Sequence, residues 1–242
     1  MRKIFIADAH LKCENDENYR LLLDFLDEKG SSADTLFILG DLFEFWIGYP
    51  KVPFRHYLPV LDALARLHAK GVEIVYFEGN HDFHMGPFFE KTLGARIFTG
   101  PAAFYLDGKK AYLSHGDQIN SADYGHRLFR FLLHNRLTRA IIPLVPPAAA
   151  SYIAERMARE SRGNHQARQA RWDYAEIARD FAAARFKEGY HAVVIGHYHL
   201  PLCETTAMDG ERTLLSLGDW MTHYTYGVWE DGVFSLKAYR KT

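Results

Sequence analysis

Short apolar runs at 3–7, 35–39, 72–77, 110–114, 192–195 and 213–217 are each followed closely by Asp, Asn, His or Gly. Such a chain is constrained to gather its polar chemistry where strands end. Between the first three runs lie two segments with helical spacing: 18–29, with Leu22, Phe25 and Leu26 on one face, and 54–70, with Leu58, Leu61, Leu64 and Leu67. This alternation predicts α/β layers. The runs at 192–195 and 213–217, then 227–229 and 233–239, are spaced like a meander or hairpins, so the sheet should be mixed or doubled. Two sheets packed as a sandwich, with helices outside, is the expected architecture. At 242 residues the chain is near the upper end of what one core serves, which favours a single domain over 1–242.

The segment 120–172 reads differently. It has helical patterning broken at Pro143, Pro146, Pro147 and Gly163, and it shows no strand pattern, so it is expected to be a helical cap inserted in the domain. Residues 126–171 carry nine Arg and two Glu, with no Asp or Lys, against a net charge of −1 for the whole chain. A local basic patch follows, not a globally basic protein. With 48% hydrophobic residues, disordered and collagen-like classes are excluded. Lys and Arg are not interleaved with stacking aromatics along a stripe, so no nucleic-acid partner is expected. Cys13 and Cys203 lack CxxC spacing and the first residues lack a signal-peptide pattern, which points to a reducing cytoplasm. The run at 140–150 is too short to span a bilayer.

Five blocks carry the chemistry: Asp8-Ala9-His10, Gly40-Asp41, Gly79-Asn80-His81-Asp82, His115-Gly116-Asp117 and Gly196-His197-Tyr198-His199. Taken singly, each is an ordinary turn or surface pair. Asp-x-His at a strand end puts a carboxylate and an imidazole on one side of an extended chain, where both can reach one ion, and Gly196-His197-Tyr198-His199 repeats that spacing. Imidazoles, carboxylates and one amide make a nitrogen and oxygen donor set suited to Mn²⁺, Fe²⁺ or Zn²⁺. Asp41 is the natural bridge, since a carboxylate has two oxygens and can hold two cations ~3.5–4 Å apart. Asn80 offers only a neutral oxygen, which leaves its ion more Lewis-acidic.

Together DAH, GDLFE, GNHD, SHGD and GHYH resemble the signature of calcineurin-like metallophosphoesterases, across positions 8 to 199. The resemblance implies an α/β fold (α+β by some schemes), a four-layer α/β/β/α sandwich. It further implies two divalent ions, Mn²⁺ first among them, one held by Asp8, His10, Asp41 and His199 and the other by Asp41, Asn80, His115 and His197. His81 would meet the developing charge or protonate the leaving oxygen, with Asp82 fixing its tautomer.

FIADAHL at 5–11, ILGDLFEFWIG at 38–48, SHGDQIN at 114–120, IAERMARES at 153–161 and GHYHLP at 196–201 narrow the resemblance to the UDP-2,3-diacylglucosamine pyrophosphohydrolase family of lipid A biosynthesis. That implies a nucleotide-linked diacyl sugar as substrate, the inner face of the cytoplasmic membrane as a peripheral location, and substrate contacts from Asn80, His81, Asp123, Tyr124, His126, Arg127, Arg130, Arg156, Arg159 and Ser161. Tyr124 and His126 compete for one aromatic contact. Burying even ten acyl methylenes is worth ~8 kcal/mol, which needs an apolar groove; Phe129, Phe131, Leu132, Leu133, Leu137, Ile141 and Ile142 are the candidates to line it. His81 stands where the best-known branch carries Arg, while a related branch keeps His. The rival readings are a two-metal phosphodiesterase or nucleotide pyrophosphatase acting on a soluble substrate, and a metal-free binding scaffold, which the complete ligand set argues against.

Overall fold

The computed structural model describes residues 1–48, 54–141, 144–146, 149, 152, 156 and 171–239. Its first half winds β1 (Lys3–Ile6), α1 (Glu17–Glu28), β2 (Thr35–Leu39), β3 (Trp46–Ile47), α2 (Leu58–Ala69), β4 (Glu73–Phe77), β5 (Asp82–Phe83), α3 (Pro87–Lys91) and β6 (Arg96–Phe98). The hairpin β7 (Ala102–Leu106) and β8 (Lys109–Leu113) follows, then α4 (Tyr124–Leu133) and α5 (Arg136–Ile141). The chain continues through α6 (Tyr174–Lys187), β9 (Ala192–Ile195), β10 (Pro201–Ala207), β11 (Glu211–Leu217), β12 (Thr225–Glu230) and β13 (Val233–Ala238).

Two sheets form, in the orders β13-β12-β1-β2-β4-β6 and β10-β11-β9-β8-β7, with β3 and β5 as a small separate pair. In the first, β1, β2, β4 and β6 are parallel, and β12 joins β1 antiparallel with Lys3 opposite Trp229. The sheet is therefore mixed, as the late hairpin spacing predicts. β2 is buried at every position, because a central parallel strand is covered on both faces.

Side-chain alternation sorts the core into layers. Ile4, Ile6, Leu36, Ile38, Ile74 and Tyr76 point outward to meet Leu22, Phe25 and Leu26 of α1 and Val60, Leu64 and Leu67 of α2. Phe5, Phe37, Leu39, Val75 and Phe77 point inward, against Leu113, Val194, Leu215 and Leu217 of the second sheet. On the far side, Val193, Ile195 and Leu214 pack on Ala178, Ala182 and Phe186 of α6. The result is the α/β/β/α sandwich. Among the described residues of 120–172 there is no strand, and α4 and α5 account for 124–133 and 136–141.

Candidate metal centre

The parallel strands of both sheets end at one place. Asp8 and His10 follow β1, Asp41 follows β2, Asn80 follows β4, His115 follows β8, and His197 and His199 follow β9. Strand carboxyl ends are where open α/β sheets place ligands. There the structure forms two groups of the expected ligands, Asp8 with His10 and His199, and Asp41 with His115 and His197, and a further group of His10 with Glu44 and His81, the atoms of each group lying within 4.8 Å of one another.

In the first group His199 Nε2 is 3.5 Å and His10 Nε2 3.9 Å from Asp8 Oδ1. Asp41 Oδ2 lies 3.8 Å from His10 Nε2 and 3.4 Å from His115 Nε2, so it faces both groups. Asn80 Oδ1 is 3.1 Å from His115 Nε2. Donors each ~2.1 Å from a shared ion can be at most about 4.2 Å apart, and these pairs meet that limit. Asp8 Oδ1 and His10 Nε2 are buried without a hydrogen-bond partner, an arrangement that costs free energy unless a cation satisfies them. The residues present fit a pair of divalent cations.

The backbone behind the donors is unusual. Asp8, His10, Asp41, His197 and His199 have φ of 56°, 45°, 53°, 67° and 53°, so five of the seven expected ligands stand in the left-handed region. The two residue pairs spaced Asp-x-His and His-x-His therefore do not lie on an extended chain. Each ligand is turned individually toward the centre, and His197 and His199 go to different groups. Two glycines make room: a Cβ on Gly79 would sit 2.1 Å from Asp41 Oδ1, and one on Gly196 would sit 2.5 Å from Asp8 Oδ2.

Remaining ligand atoms are held by the protein. Asp8 Oδ2 accepts from His197 N at 2.8 Å, and Asp41 Oδ1 accepts from His81 N at 2.9 Å. His115 Nδ1 donates to Leu39 O at 2.8 Å, which turns Nε2 inward. Burial opposes a charge on His115, but Asp41 beside it wins and raises its pKa to about 10. Burial would likewise raise Asp41, yet His115 and His81 hold its carboxyl well below the usual range. Burial pushes His10 and His197 down. Because a ligating imidazole must be neutral, a cation at this centre would compete with protonation of His115.

Asp82 does not do what the sequence suggests. It is fully buried, and its carboxylate accepts from the backbone N–H of Asp41, Leu42, Phe43 and Gly79 and from the Tyr76 hydroxyl. It therefore clamps the loop that carries Asp41 and does not touch the His81 ring. The tautomer of His81 is set by a backbone carbonyl, since Nδ1 donates to Glu44 O at 2.9 Å.

The expected substrate contacts also divide. Asp123 caps α4, its Oδ1 accepting from His126 N at 3.0 Å. Tyr124 is 77% exposed, whereas His126 is buried with its ring centre 5.2 Å from that of His197. Arg127 is exposed and donates to Ser121 O. Arg130 is not offered to a phosphate: its guanidinium is buried and donates to Asp117 Oδ2 at 2.5 Å and to Thr99 O at 3.3 Å. Arg156 is exposed on a helical residue; Arg159 and Ser161 lie outside the described residues.

Three acids of the centre carry no role in the sequence reading. Glu44 Oε2 lies 3.6 Å from His10 Nδ1, Asp117 pairs with Arg130, and Asp219 Oδ2 lies 4.0 Å from His199 Nδ1. Asp219 is buried, and its neighbour Trp220 lies fully in the core. GDLFE, SHGD and LGDW contain all three, but only the fold shows which imidazole each one faces.

Residues 1–201 match the family model described as calcineurin-like phosphoesterase. A curated protein from Aeromonas salmonicida named UDP-2,3-diacylglucosamine hydrolase is 33% identical over 223 residues, covering 91% of this chain and 86% of its own length. Proteins of the same name from Pseudomonas paraeruginosa and Pseudomonas putida are each 32% identical, covering 91% and 90% of this chain and the same shares of their own lengths. With its two donor groups meeting at Asp41, the chain belongs to the calcineurin-like phosphoesterases and, within them, to the family of proteins named UDP-2,3-diacylglucosamine hydrolase.

Proposed function

We propose that this chain hydrolyses the pyrophosphate of UDP-2,3-diacylglucosamine in lipid A biosynthesis, releasing UMP and 2,3-diacylglucosamine 1-phosphate, with water attacking the α-phosphorus. The observation that carries this reading is the extent of the match to proteins of that name. It leaves 9% of the chain uncovered, so it must include most of 120–172 as well as the metal centre. Two divalent cations bound there supply Lewis acidity to phosphoryl oxygens and water, and the nitrogen and oxygen donors suit Mn²⁺. The chain's own residues do the rest. Asp82 holds the Asp41 loop rigid, and Glu44 O fixes His81 so that Nε2 is the nitrogen left to meet the substrate.

The cap reading draws support from α4 and α5, where Leu128, Phe131, Leu132, Leu137 and Ile141 are all exposed large apolar side chains. A small phosphate ester gives no reason for such a surface; acyl chains and a bilayer face do. Leu133 instead packs against the main core, while the Phe129 side chain and Ile142 lie outside what is described. No helix among the described residues is long and apolar enough to cross a membrane, so peripheral contact with the inner membrane is the proposed association.

Hydrolysis of the lipid in ¹⁸O-water, with and without Mn²⁺, tests the proposal against a chromogenic diester. Metal-dependent release of UMP carrying the label is expected. Cleavage of the diester with the lipid untouched would overturn the substrate and leave a phosphodiesterase of soluble esters. Arg156→Ala should raise KM for the lipid well above any effect on the diester.

A further inference from the structure

We propose that Arg130 is a positioning residue: paired with Asp117, it locks α4 to the carboxyl ends of both sheets and so fixes where the exposed apolar face of that helix stands relative to the metal donors. This deepens the reading of a lipid-linked substrate and rests on it. Three observations carry it.

The first is which way α4 faces. His126, Arg130 and His134 stand at i, i+4 and i+8, one stripe along the helix and its C-cap, and that stripe is turned toward the protein. His126 and Arg130 are buried, and the His134 side chain is only 12% exposed. Leu128, Phe131 and Leu132, in contrast, are exposed. An ordinary surface helix buries its apolar face and shows its polar one, and α4 does largely the reverse. Apolar contacts tolerate slippage, whereas hydrogen bonds hold only over a narrow range of distance and angle, so a polar seam fixes register.

The second is how Arg130 is held. Nη1 donates to Asp117 Oδ2 at 2.5 Å and Nη2 to Thr99 O at 3.3 Å. With its amide oxygen toward the guanidinium, Gln118 accepts from Nε at 2.8 Å and from Nη2 at 3.0 Å. Thr99 follows β6 of the first sheet, and Asp117 and Gln118 follow β8 of the second. One guanidinium therefore ties α4 to both sheets, and it does so with a planar fork of donors that lysine lacks.

The third is what the lock lies beside. Asp117 is two residues from His115, and its Oδ2 lies 3.7 Å from Nε2 of His126, whose ring centre is 5.2 Å from that of His197. His115 and His197 are expected cation ligands, so α4 and the ligand loops form one connected piece. A substrate with its diphosphate at the cations and its acyl chains on α4 must satisfy both ends at once, and a misplacement of about 1 Å lowers a rate by on the order of 100-fold. A small diester meets only the cation end. The Asp117–Arg130 pair therefore selects for substrates long enough to reach both.

Steady-state kinetics of the Mn²⁺-loaded full chain on UDP-2,3-diacylglucosamine and on a chromogenic diester test this. Arg130→Lys keeps the charge beside Asp117 and loses the fork. Its kcat/KM for the lipid should fall by about tenfold or more relative to its kcat/KM for the diester. Adding Phe131→Ser removes part of the face that the lock positions, so in that background Arg130→Lys should change the ratio by less than about threefold. Loss of folded protein lowers both activities together and leaves the ratio unmoved in either background. Should Arg130→Lys unfold below the assay temperature, Asp117→Asn with Arg130→Gln, which buries no unpaired charge, carries the same expectation. An unchanged ratio in the variant that folds, or the same drop with and without Phe131→Ser, would overturn the inference. An unmodified chain that cleaves the diester and leaves the lipid intact would instead overturn the substrate reading on which it stands.

Discussion

Asp and His tolerate the left-handed region better than most side chains, but a non-glycine residue held there still costs of order 1 kcal/mol. Five such residues meet at the centre, so part of the fold's stability is stored as strain beneath the ligands. In metal-free protein, His10→Gly should therefore melt as if about 1 kcal/mol more stable than His10→Ala, although both lose the ligand; calorimetry reads the difference. Gly196→Ala should act in the opposite sense. Its new Cβ meets Asp8 Oδ2 at 2.5 Å and Ala7 Cβ at 2.7 Å, so a loss of roughly 1–3 kcal/mol and a fall in bound metal are expected. Asp41→Ala should abolish binding of both cations and turnover, since its Oδ2 faces both groups. The ligand identities were legible in the sequence because five motifs repeat residue types that bind cations. The left-handed turns were not, and neither were Glu44 and Asp219 as partners of His10 and His199, because those contacts join residues far apart in the chain.

At the level of elements, α4 is held over the centre by a polar seam. His134 follows the helix with Nδ1 3.9 Å from Glu78 Oε2 and its ring 4.7 Å from Phe83, while His84 Nε2 donates to Leu133 O. Burial, reinforced by the Arg130 guanidinium, pushes His134 from 6.5 down to about 3. Between those values the unfolded chain binds a proton that the folded chain refuses. Stability should therefore be complete above pH 6.5 and fall as pH is lowered toward 3, by at most about 1.4 kcal/mol per unit from this group. Denaturant melts of His134→Gln across that range should show a shallower slope than the unmodified protein. Element boundaries were read well where apolar spacing was strong, as in β2 and β9. α6 escaped notice because its buried stripe is largely small, Ala178 and Ala182 before Phe186, and β10 because an exposed edge strand of Pro, Glu and Thr carries little apolar signal.

On the scale of the whole molecule, the sandwich is buried between its layers and apolar at its surface along α4 and α5. If that surface meets a bilayer, Phe131→Ser with Leu137→Ser should reduce cosedimentation with anionic vesicles severalfold and raise KM for the lipid, with diester turnover unchanged; equal effects on both substrates would place the surface elsewhere in the mechanism. The layered architecture was legible because each strand run ended in chemistry and each helix carried an apolar face. The pairing of β12 with β1 was less so, and it governs how the protein is made. β1 delivers Asp8 and His10, and Trp220 N donates to Asp8 O from the loop that leads into β12. During synthesis at roughly 5–20 residues per second, β1 must wait on the order of 10–45 s for residues 225–230 to emerge. Until then one edge of β1 is open and the earliest ligands have no finished wall behind them. Cation loading is thereby a late event in biogenesis, and a nascent chain stalled before β12 presents an unpaired strand to chaperones in place of a working centre.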